Sequence, residues 1–407
     1  MNAPTSPPSR LLRTQTPSKD SSQGSGQGSG QGSARTDLKE TVRPADAIRV
    51  MLIDDSLTVR TVFKRMVESD PEMVVAHTAS SAERGIAQLA DADIDVILLD
   101  LEMPGMGGLE ALPMILKAAP NAQVMVVSSL TEDGAEATVQ ALSTGAADTM
   151  LKPRPGGFND EYRSQLLTKI RALGSAESAE AKGEASASDA QKGNAKIERQ
   201  QRRTKRPDVL AIGASTGGIH ALNVMLRALT PDFDLPILIT QHLPSSFIPV
   251  FARQIEVASG RTTHIAEDGT EIRRGEIAIA TGHGHMVARR IGDRLVTRIK
   301  PEAVPNGCMP SVDPMLTSLS EICEGRVLAI ILSGMGRDGL EGAELLSAAG
   351  GTVWAQDADT SAVWGMPGAV TKAGLTSLIG SPQELGEAIM DQYSLAGVGD
   401  TVNGSST

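Results

Sequence analysis

Apolar residues in this chain fall into short continuous runs, separated by amphipathic stretches, from Ile48 onward. IRVMLI ends in Asp54-Asp55 and is followed by a helix-like stretch from Ser56 to about Glu68. MVVAHTA comes next, then a helical pattern from Glu83 to Leu89, then the apolar run DVILLD at 95–100. A further helix, QVMVVSS at 123–129, another helix and DTMLKP at 148–153 complete the series. Apolar runs of strand length predict strands buried on both faces, and their alternation with helices predicts a parallel sheet covered on both sides. Five such units over 48–172 predict one α/β domain with a five-stranded parallel sheet, of about 125 residues.

The pattern then lapses and resumes. Residues 173–206 are Ala, Ser, Glu and Lys with almost no large apolar side chain, which predicts a linker, partly helical at most. From Pro207 the strand DVLAIG enters the turn GASTGGI and a helical pattern, HALNVMLRAL. LPILITQH at 235–242, shorter β-like runs at 276–299, VLAIILSG at 327–334 and GTVWAQD continue the alternation. This predicts a second, doubly wound α/β domain over 207–393. Residues 1–47, rich in Pro, Ser, Gln and Gly with the repeat QGSGQGSGQGSG, have too little apolar surface to offset ordering entropy and are expected to be a disordered tail. Residues 394–407 are expected to be a flexible tail.

Composition narrows the function. The chain has 407 residues, 40% hydrophobic and 21% charged, within the range of globular proteins. Lys plus Arg number 38 against 49 for Asp plus Glu, a net charge of -11, and aromatics are 2%. Acidity argues against sequence-independent DNA binding and the scarcity of rings against single-strand stacking, so no nucleic acid partner is expected. Cys308 and Cys323 cannot build a disulfide framework and have no metal-type spacing, in keeping with a reducing compartment. No apolar run approaches the roughly 20 residues of a bilayer span, and MNAPTSPPSR has no signal-like apolar region. A cytoplasmic protein without direct membrane insertion is expected.

In an open parallel sheet, function gathers at the carboxyl ends of the strands. In the first domain Asp54 and Asp55 follow the first strand, Asp100 ends the third, Ser128 and Ser129 end the fourth and Lys152 ends the fifth. A single strand-end acid is commonly a helix cap. Three of them at neighbouring strand ends repel at close range and require a counter-charge, which a hard divalent cation such as Mg2+ supplies. A hydroxyl and a lysine across the pocket complete a phosphate cradle. These residues resemble a response-regulator receiver domain. The resemblance implies that Asp100 accepts phosphate from a histidine kinase, that Asp54, Asp55, Asp100 and the Glu102 carbonyl surround Mg2+, and that Ser128 and Lys152 contact the phosphate. One departure stands out: the switch position three before the lysine, usually aromatic, is Thr149.

In the second domain the glycines of GASTGG permit close backbone approach, and Ser215 falls where N–H groups point outward at a helix start. The competing dinucleotide fingerprint expects an acid at the end of the next strand, which instead ends Thr240-Gln241-His242; a P-loop lysine is missing too. A nucleophilic serine needs a base and an orienter. His77 is expected at the receiver surface. His220 shares the helix of the serine turn and is expected to point along it; His264 sits beside a strand-like turn. His283 and His285, in TGHGHM, suggest a metal pair or, with no acid beside them, a structural role. His242, at the same sheet edge as Ser215, is the best base, and Asp338 in SGMGRDG is the candidate acid or merely a helix cap. The order Ser, His, Asp differs from that of α/β-hydrolases.

GASTGG, QHLP, SVDPM, SGMGRDG and WGMPGAV together resemble the catalytic domain of the CheB family of chemotaxis protein-glutamate methylesterases, which carry an N-terminal receiver. The resemblance implies Ser215 as nucleophile, His242 as base, Asp338 as its orienter and the Met335 N–H as oxyanion donor, with no cofactor for the esterase reaction. It implies methylated chemoreceptors as substrates, glutamine deamidation as a related activity, and a receiver that covers the cleft until phosphorylated. The same chemistry on another methylated protein, or a non-catalytic phosphate sink, are the other readings.

Overall fold

The computed structural model describes residues 47–129, 131–153, 157–175 and 206–393. The expected tails, apart from residue 47, and all but the ends of the expected linker lie outside the described residues.

The first domain runs β1 (Ile48–Ile53), α1 (Leu57–Val67), β2 (Met73–Ala79), α2 (Ala82–Leu89), β3 (Val96–Asp100), α3 (Gly108–Ala118), β4 (Gln123–Ser128), α4 (Glu132–Thr144), β5 (Asp148–Leu151) and α5 (Asp160–Gly174). Side chains start the helices: Ser56, Ser81, Thr131 and Asn159 each accept a first-turn N–H of α1, α2, α4 and α5. The strands pair in parallel in the order β2-β1-β3-β4-β5. Alternate residues of β1 serve opposite faces: Met51 and Ile53 join one core, Val50 and Leu52 the other. The continuous apolar run follows from this burial on both sides. The chain reverses its winding between β1 and β3, which opens a crevice beyond their carboxyl ends.

The second domain runs β6 (Val209–Ala214), α6 (Gly218–Arg227), β7 (Ile237–Gln241), a 3-10 turn (Ser245–Phe247), α7 (Ile248–Ser259), β8 (Thr263–Ile265), β9 (Ile277–Ile279), β10 (His285–Ile291), β11 (Arg294–Lys300) and α8 (Val312–Ile322). It continues with β12 (Val327–Ile331), α9 (Leu340–Ala348), β13 (Thr352–Gln356), α10 (Met366–Lys372), β14 (Thr376–Gly380) and α11 (Pro382–Tyr393). Seven strands form a parallel sheet in the order β14-β13-β12-β6-β7-β9-β8. Here too alternate residues part company, Leu210 and Ile212 to one core, Val209 and Ala211 to the other. β10 and β11 stand apart as an antiparallel hairpin, so the β-like runs at 276–299 divide between the sheet and this ribbon. The switch point lies at β6, with β7 on one side and β12 on the other.

With few aromatic residues to fill the core, the buried ones carry much of its packing. Phe251 of α7 is fully buried. Phe251→Ala is expected to cost about 3–5 kcal/mol and to lower the unfolding midpoint of this domain by about 10 °C, measured by calorimetry.

Candidate active site

Ser215 leaves β6 at the switch point. Its N–H donates to Ser333 O at 3.0 Å, and Gln241 Nε2 donates to its carbonyl at 2.9 Å, so the turn is pinned from both sides. Gly217 adopts φ +78°, and a Cβ there would lie 2.6 Å from both Ala362 Cβ and Ser333 Oγ. On the far side, a Cβ on Gly334 would lie 2.7 Å from Ser215 Cβ. That bare glycine lets the loop after β12 approach the serine and brings Met335 to the same cavity. No acceptor among the described residues takes the Met335 N–H.

His242 follows β7, and Asp338 lies in the loop between β12 and α9. His242 Nδ1 is 3.2 Å from Ser215 Oγ, and Nε2 is 2.7 Å from Asp338 Oδ2. The three residues expected to act together thus meet in one crevice. A carboxylate facing Nε2 fixes the proton there, leaving the Nδ1 lone pair for the serine hydroxyl.

Asp338 is 2% exposed. Burial would raise its carboxyl, but the His242 bond, the imidazole's charge, Ser311 Oγ–H and Val312 N–H prevail and hold it at about 2. Oδ1 accepts from Ser311 Oγ at 2.6 Å and Asn306 Nδ2 at 2.8 Å; Oδ2 also accepts from Val312 N at 2.7 Å. A further layer fixes the first. His285 Nδ1 accepts the Ser311 N–H at 2.9 Å, and its Nε2–H donates to Glu302 O at 2.9 Å. These partners hold the His285 ring between Ser311 and Glu302.

Asn306, Ser311 and His285 were not legible as one support, although Ser311 falls within SVDPM. Each is far from Asp338 in sequence, and single polar residues have no periodicity to betray a shared partner. Nearby, Cys308 is half-buried. Burial first, then the charges of Asp338 and Asp313, push its thiol up to about 11, so it is neutral.

At the receiver switch point Asp54, Asp55 and Asp100 converge, with ligand oxygens within 4.8 Å of one another. Asp100 Oδ1 accepts the Glu102 N–H at 2.9 Å, and Lys152 Nζ lies 2.6 Å from Asp100 Oδ2 and 3.6 Å from Asp54 Oδ2. Burial pushes the Asp100 carboxyl up to about 6 against the opposing pull of Lys152. Asp54 Oδ2 is buried without a hydrogen bond. That orphaned oxygen, in an all-oxygen donor set, fits a hard divalent cation. Ser128 Oγ accepts from Thr138 Oγ1 at 2.7 Å. Thr149 is buried, and among the described residues its hydroxyl has no hydrogen-bond partner.

The two domains belong to one compact unit, and the receiver meets the serine turn directly. Gly217 N–H donates to Ala147 O at 2.6 Å, and Thr216 Oγ1 donates to Asp148 Oδ2 at 2.7 Å. Asn223 Nδ2 donates to Ser143 Oγ at 2.7 Å, and Arg253 pairs with Glu136 at 2.9 Å. His220, expected to point along its helix, sets Nδ1 3.0 Å from Ser143 O of the receiver. A cavity of about 400 Å3 lies between the domains, lined by Asp148, Thr149 and Lys152 on one side and by Ser215, His242 and Met335 on the other.

Together, fold and site define a serine hydrolase coupled to a phosphate-receiving α/β domain. Residues 210–389 match the family model described as CheB methylesterase, and residues 50–157 match the response regulator receiver domain. The chain belongs to the CheB methylesterase family. It is 36% identical over 394 residues to a protein-glutamate methylesterase/protein-glutamine glutaminase of Maricaulis maris, covering 87% of this chain and 98% of that one. It is 39% identical over 373 residues to such a protein of Paramagnetospirillum magneticum, covering 85% and 96%. Among solved structures, the Thermotoga maritima CheB methylesterase catalytic domain is 32% identical, covers 46% of this chain and 99% of that one, and has a TM-score of 0.45. No described helix is long and apolar enough to cross a membrane.

Asp313, beside the triad, supplies a pH test. Burial pushes its carboxyl up to about 7, opposed by the Gly342 N–H and reinforced by the charge of Asp338. An unfolded Asp titrates near ~3.9. Between these values the folded chain holds a proton that the unfolded chain has lost, so stability falls as pH rises from about 4 to about 7 and is level beyond. Asp313→Asn is expected to flatten that slope; melting midpoints of both proteins across this range, with an unchanged difference, would contradict it.

Proposed function

We propose that this chain is a phosphorylation-regulated serine esterase of chemotaxis adaptation. It hydrolyses glutamate γ-methyl esters on chemoreceptors, releases methanol, and by the same steps deamidates receptor glutamines. The observation that carries the reading is the continuous contact from Ser215 Oγ through His242 to Asp338.

Ser215 Oγ attacks the ester carbonyl while His242 Nδ1 takes its proton. The buried Asp338 carboxylate stabilises the imidazolium and keeps the ring in register. The Met335 N–H, without an acceptor of its own, binds the developing oxyanion, a contact worth about 3 kcal/mol in comparable sites. His242 returns the proton to the departing methoxide. Water then enters, gives one proton to Nδ1 and attacks the acyl-serine; the acyl–oxygen bond breaks, Nδ1 returns that proton to Ser215 Oγ, and glutamate leaves. For glutamine the leaving group is ammonia. No cofactor enters these steps.

The receiver supplies regulation. Ala147 O caps an N–H of the serine turn and Asp148 ties Thr216, so the docked receiver occludes the cleft that a receptor segment must enter. Asp100 accepts the phosphoryl group from a histidine kinase, and Lys152 and Ser128 turn toward it. Asp54, Asp55, Asp100 and the Glu102 carbonyl would hold Mg2+, which neutralises phosphoryl charge during transfer. Breaking the Lys152–Asp100 pair shifts the population toward an undocked, open state. The protein acts in the cytoplasm, where kinase and receptor signalling domains meet.

Ser215→Ala is expected to lower methanol release from methylated receptor membranes by roughly 10^3-fold or more, and Asp338→Asn by about 10^4-fold; full activity in Ser215→Ala would refute the assignment. Glu136→Arg, which sets two cations against each other at the domain contact, is expected to raise the unphosphorylated rate by roughly 2- to 10-fold. An unchanged rate there would remove the occlusion reading while leaving the esterase intact.

A further inference from the structure

The esterase steps leave one reactive group beside the triad without a task. Cys308 lies in the loop ahead of α8, half-buried and unpaired. Its Sγ, a ring nitrogen of His242 and a carboxylate oxygen of Asp338 lie within 4.8 Å of one another. Among the described residues the only polar contact of the thiol is a long one, 3.9 Å to Asn306 O.

We infer that His242, Cys308 and Asp338 form a binding site for a thiophilic divalent cation of the zinc class, whose binding switches the esterase off. Sulfur, imidazole nitrogen and carboxylate oxygen are the ligand types of tetrahedral zinc sites, and three protein ligands leave a fourth position for water. Hard cations such as Mg2+ favour all-oxygen sets and are expected to pass this site by. The charge also suits a cation. Asp338 and Asp313 meet here through Asn306, whose amide donates to both at 2.8 and 3.1 Å. Among the described residues neither carboxylate has a Lys or Arg ion pair; Asp338 pairs with His242 alone.

The binding step balances in atoms and protons. Today a proton bridges His242 Nε2 and Asp338 Oδ2 over 2.7 Å. The metal takes that place and bonds to Nε2, Oδ2 and Sγ. Tetrahedral ligands on bonds near 2.0 Å stand about 3.3 Å apart, so the pair opens by about 0.6 Å, a small swing for a ring still 19% exposed. The displaced Nε2 proton is taken up at Nδ1, and the thiol proton leaves to solvent, one proton released per metal bound. Nδ1 then faces Ser215 as an N–H donor. It has no lone pair left to accept the serine proton, so the base is lost without any movement of the nucleophile.

Binding rests on the donor set alone; inhibition also rests on the esterase reading above. The test uses the full-length, metal-free chain with Co2+ as an absorbing probe and Zn2+ as competitor. The expected result is a thiolate-to-cobalt charge-transfer band that Zn2+ bleaches and that is missing from both Cys308→Ser and Cys308→Ala. Methanol release, with each variant measured against its own metal-free rate, should become at least roughly 10- to 100-fold less sensitive to Zn2+ in these variants, because even outer-shell losses at metal sites cost that much. A wild-type chain with no band, or a band that survives in both variants, overturns the site. A Cys308-dependent band with Zn2+-insensitive methanol release overturns the inhibition. A chain that shows the band but never releases methanol overturns the esterase reading and leaves the metal site standing.

Discussion

The carboxylate of Asp338 stays ionised although it is buried to 2% exposure. An ionised group taken from water is strongly penalised unless hydrogen bonds and an opposite charge replace the solvent. Much of the loop architecture around the sheet end answers that need. The start of α8 brings Ser311 and Val312 to Asp338, the loop before it brings Asn306, and the hairpin strand β10 brings His285 to hold Ser311. One stretch remote in sequence, residues 306–312, thus converges on that side chain with His285 behind it, and the imidazole of His242 is aimed by the result. The hairpin, outside the main sheet, thereby acquires a reason to pack where it does.

The receiver handles the same problem with less compensation. Two buried carboxylates, Asp54 and Asp100, share a single ammonium, Lys152. One cation cannot satisfy both, and the shortfall appears as the raised Asp100 carboxyl and the orphaned Asp54 oxygen. Asp338 is thus compensated by hydrogen bonds and by His242, whereas the receiver pair relies on one ammonium.

Repeating strands and helices were legible because burial on both faces leaves a continuous apolar run, visible in IRVMLI and VLAII without any tertiary knowledge. Runs overstated the strands where neighbouring apolar residues belong to turns: LPILITQH forms a strand only over Ile237–Gln241. Ser215, His242 and Asp338 stood out because each sits beyond a buried strand, and parallel topology sends such ends to one edge. The contact of Gly217 with Ala147 had no such signal, since it is a backbone pairing between domains and any residue can supply a carbonyl. His220 was expected to follow its own helix because only local geometry was in view. Its partner, Ser143, is 77 positions away.

Thr149, where receivers usually carry an aromatic ring, bears on how the two sites communicate. A threonine with an unpartnered hydroxyl has no ring to swing between inward and outward positions. Two other connections are physically present. β5 is an edge strand of four residues, about 13 Å at ~3.3 Å per residue; Lys152 follows one end and Asp148 begins the other. The Lys152 ammonium paired with Asp100 and the Asp148 carboxylate bound to Thr216 are thus tied by one short, stiff segment. The second connection runs from Ser128 to Thr138, a bond between two fully buried hydroxyls that anchors the end of β4 to α4. The same helix carries Glu136 and Ser143 to the catalytic domain. Lys152 and Ser128 are thus each joined to the contact between the domains by one stiff element, β5 for the first and α4 for the second.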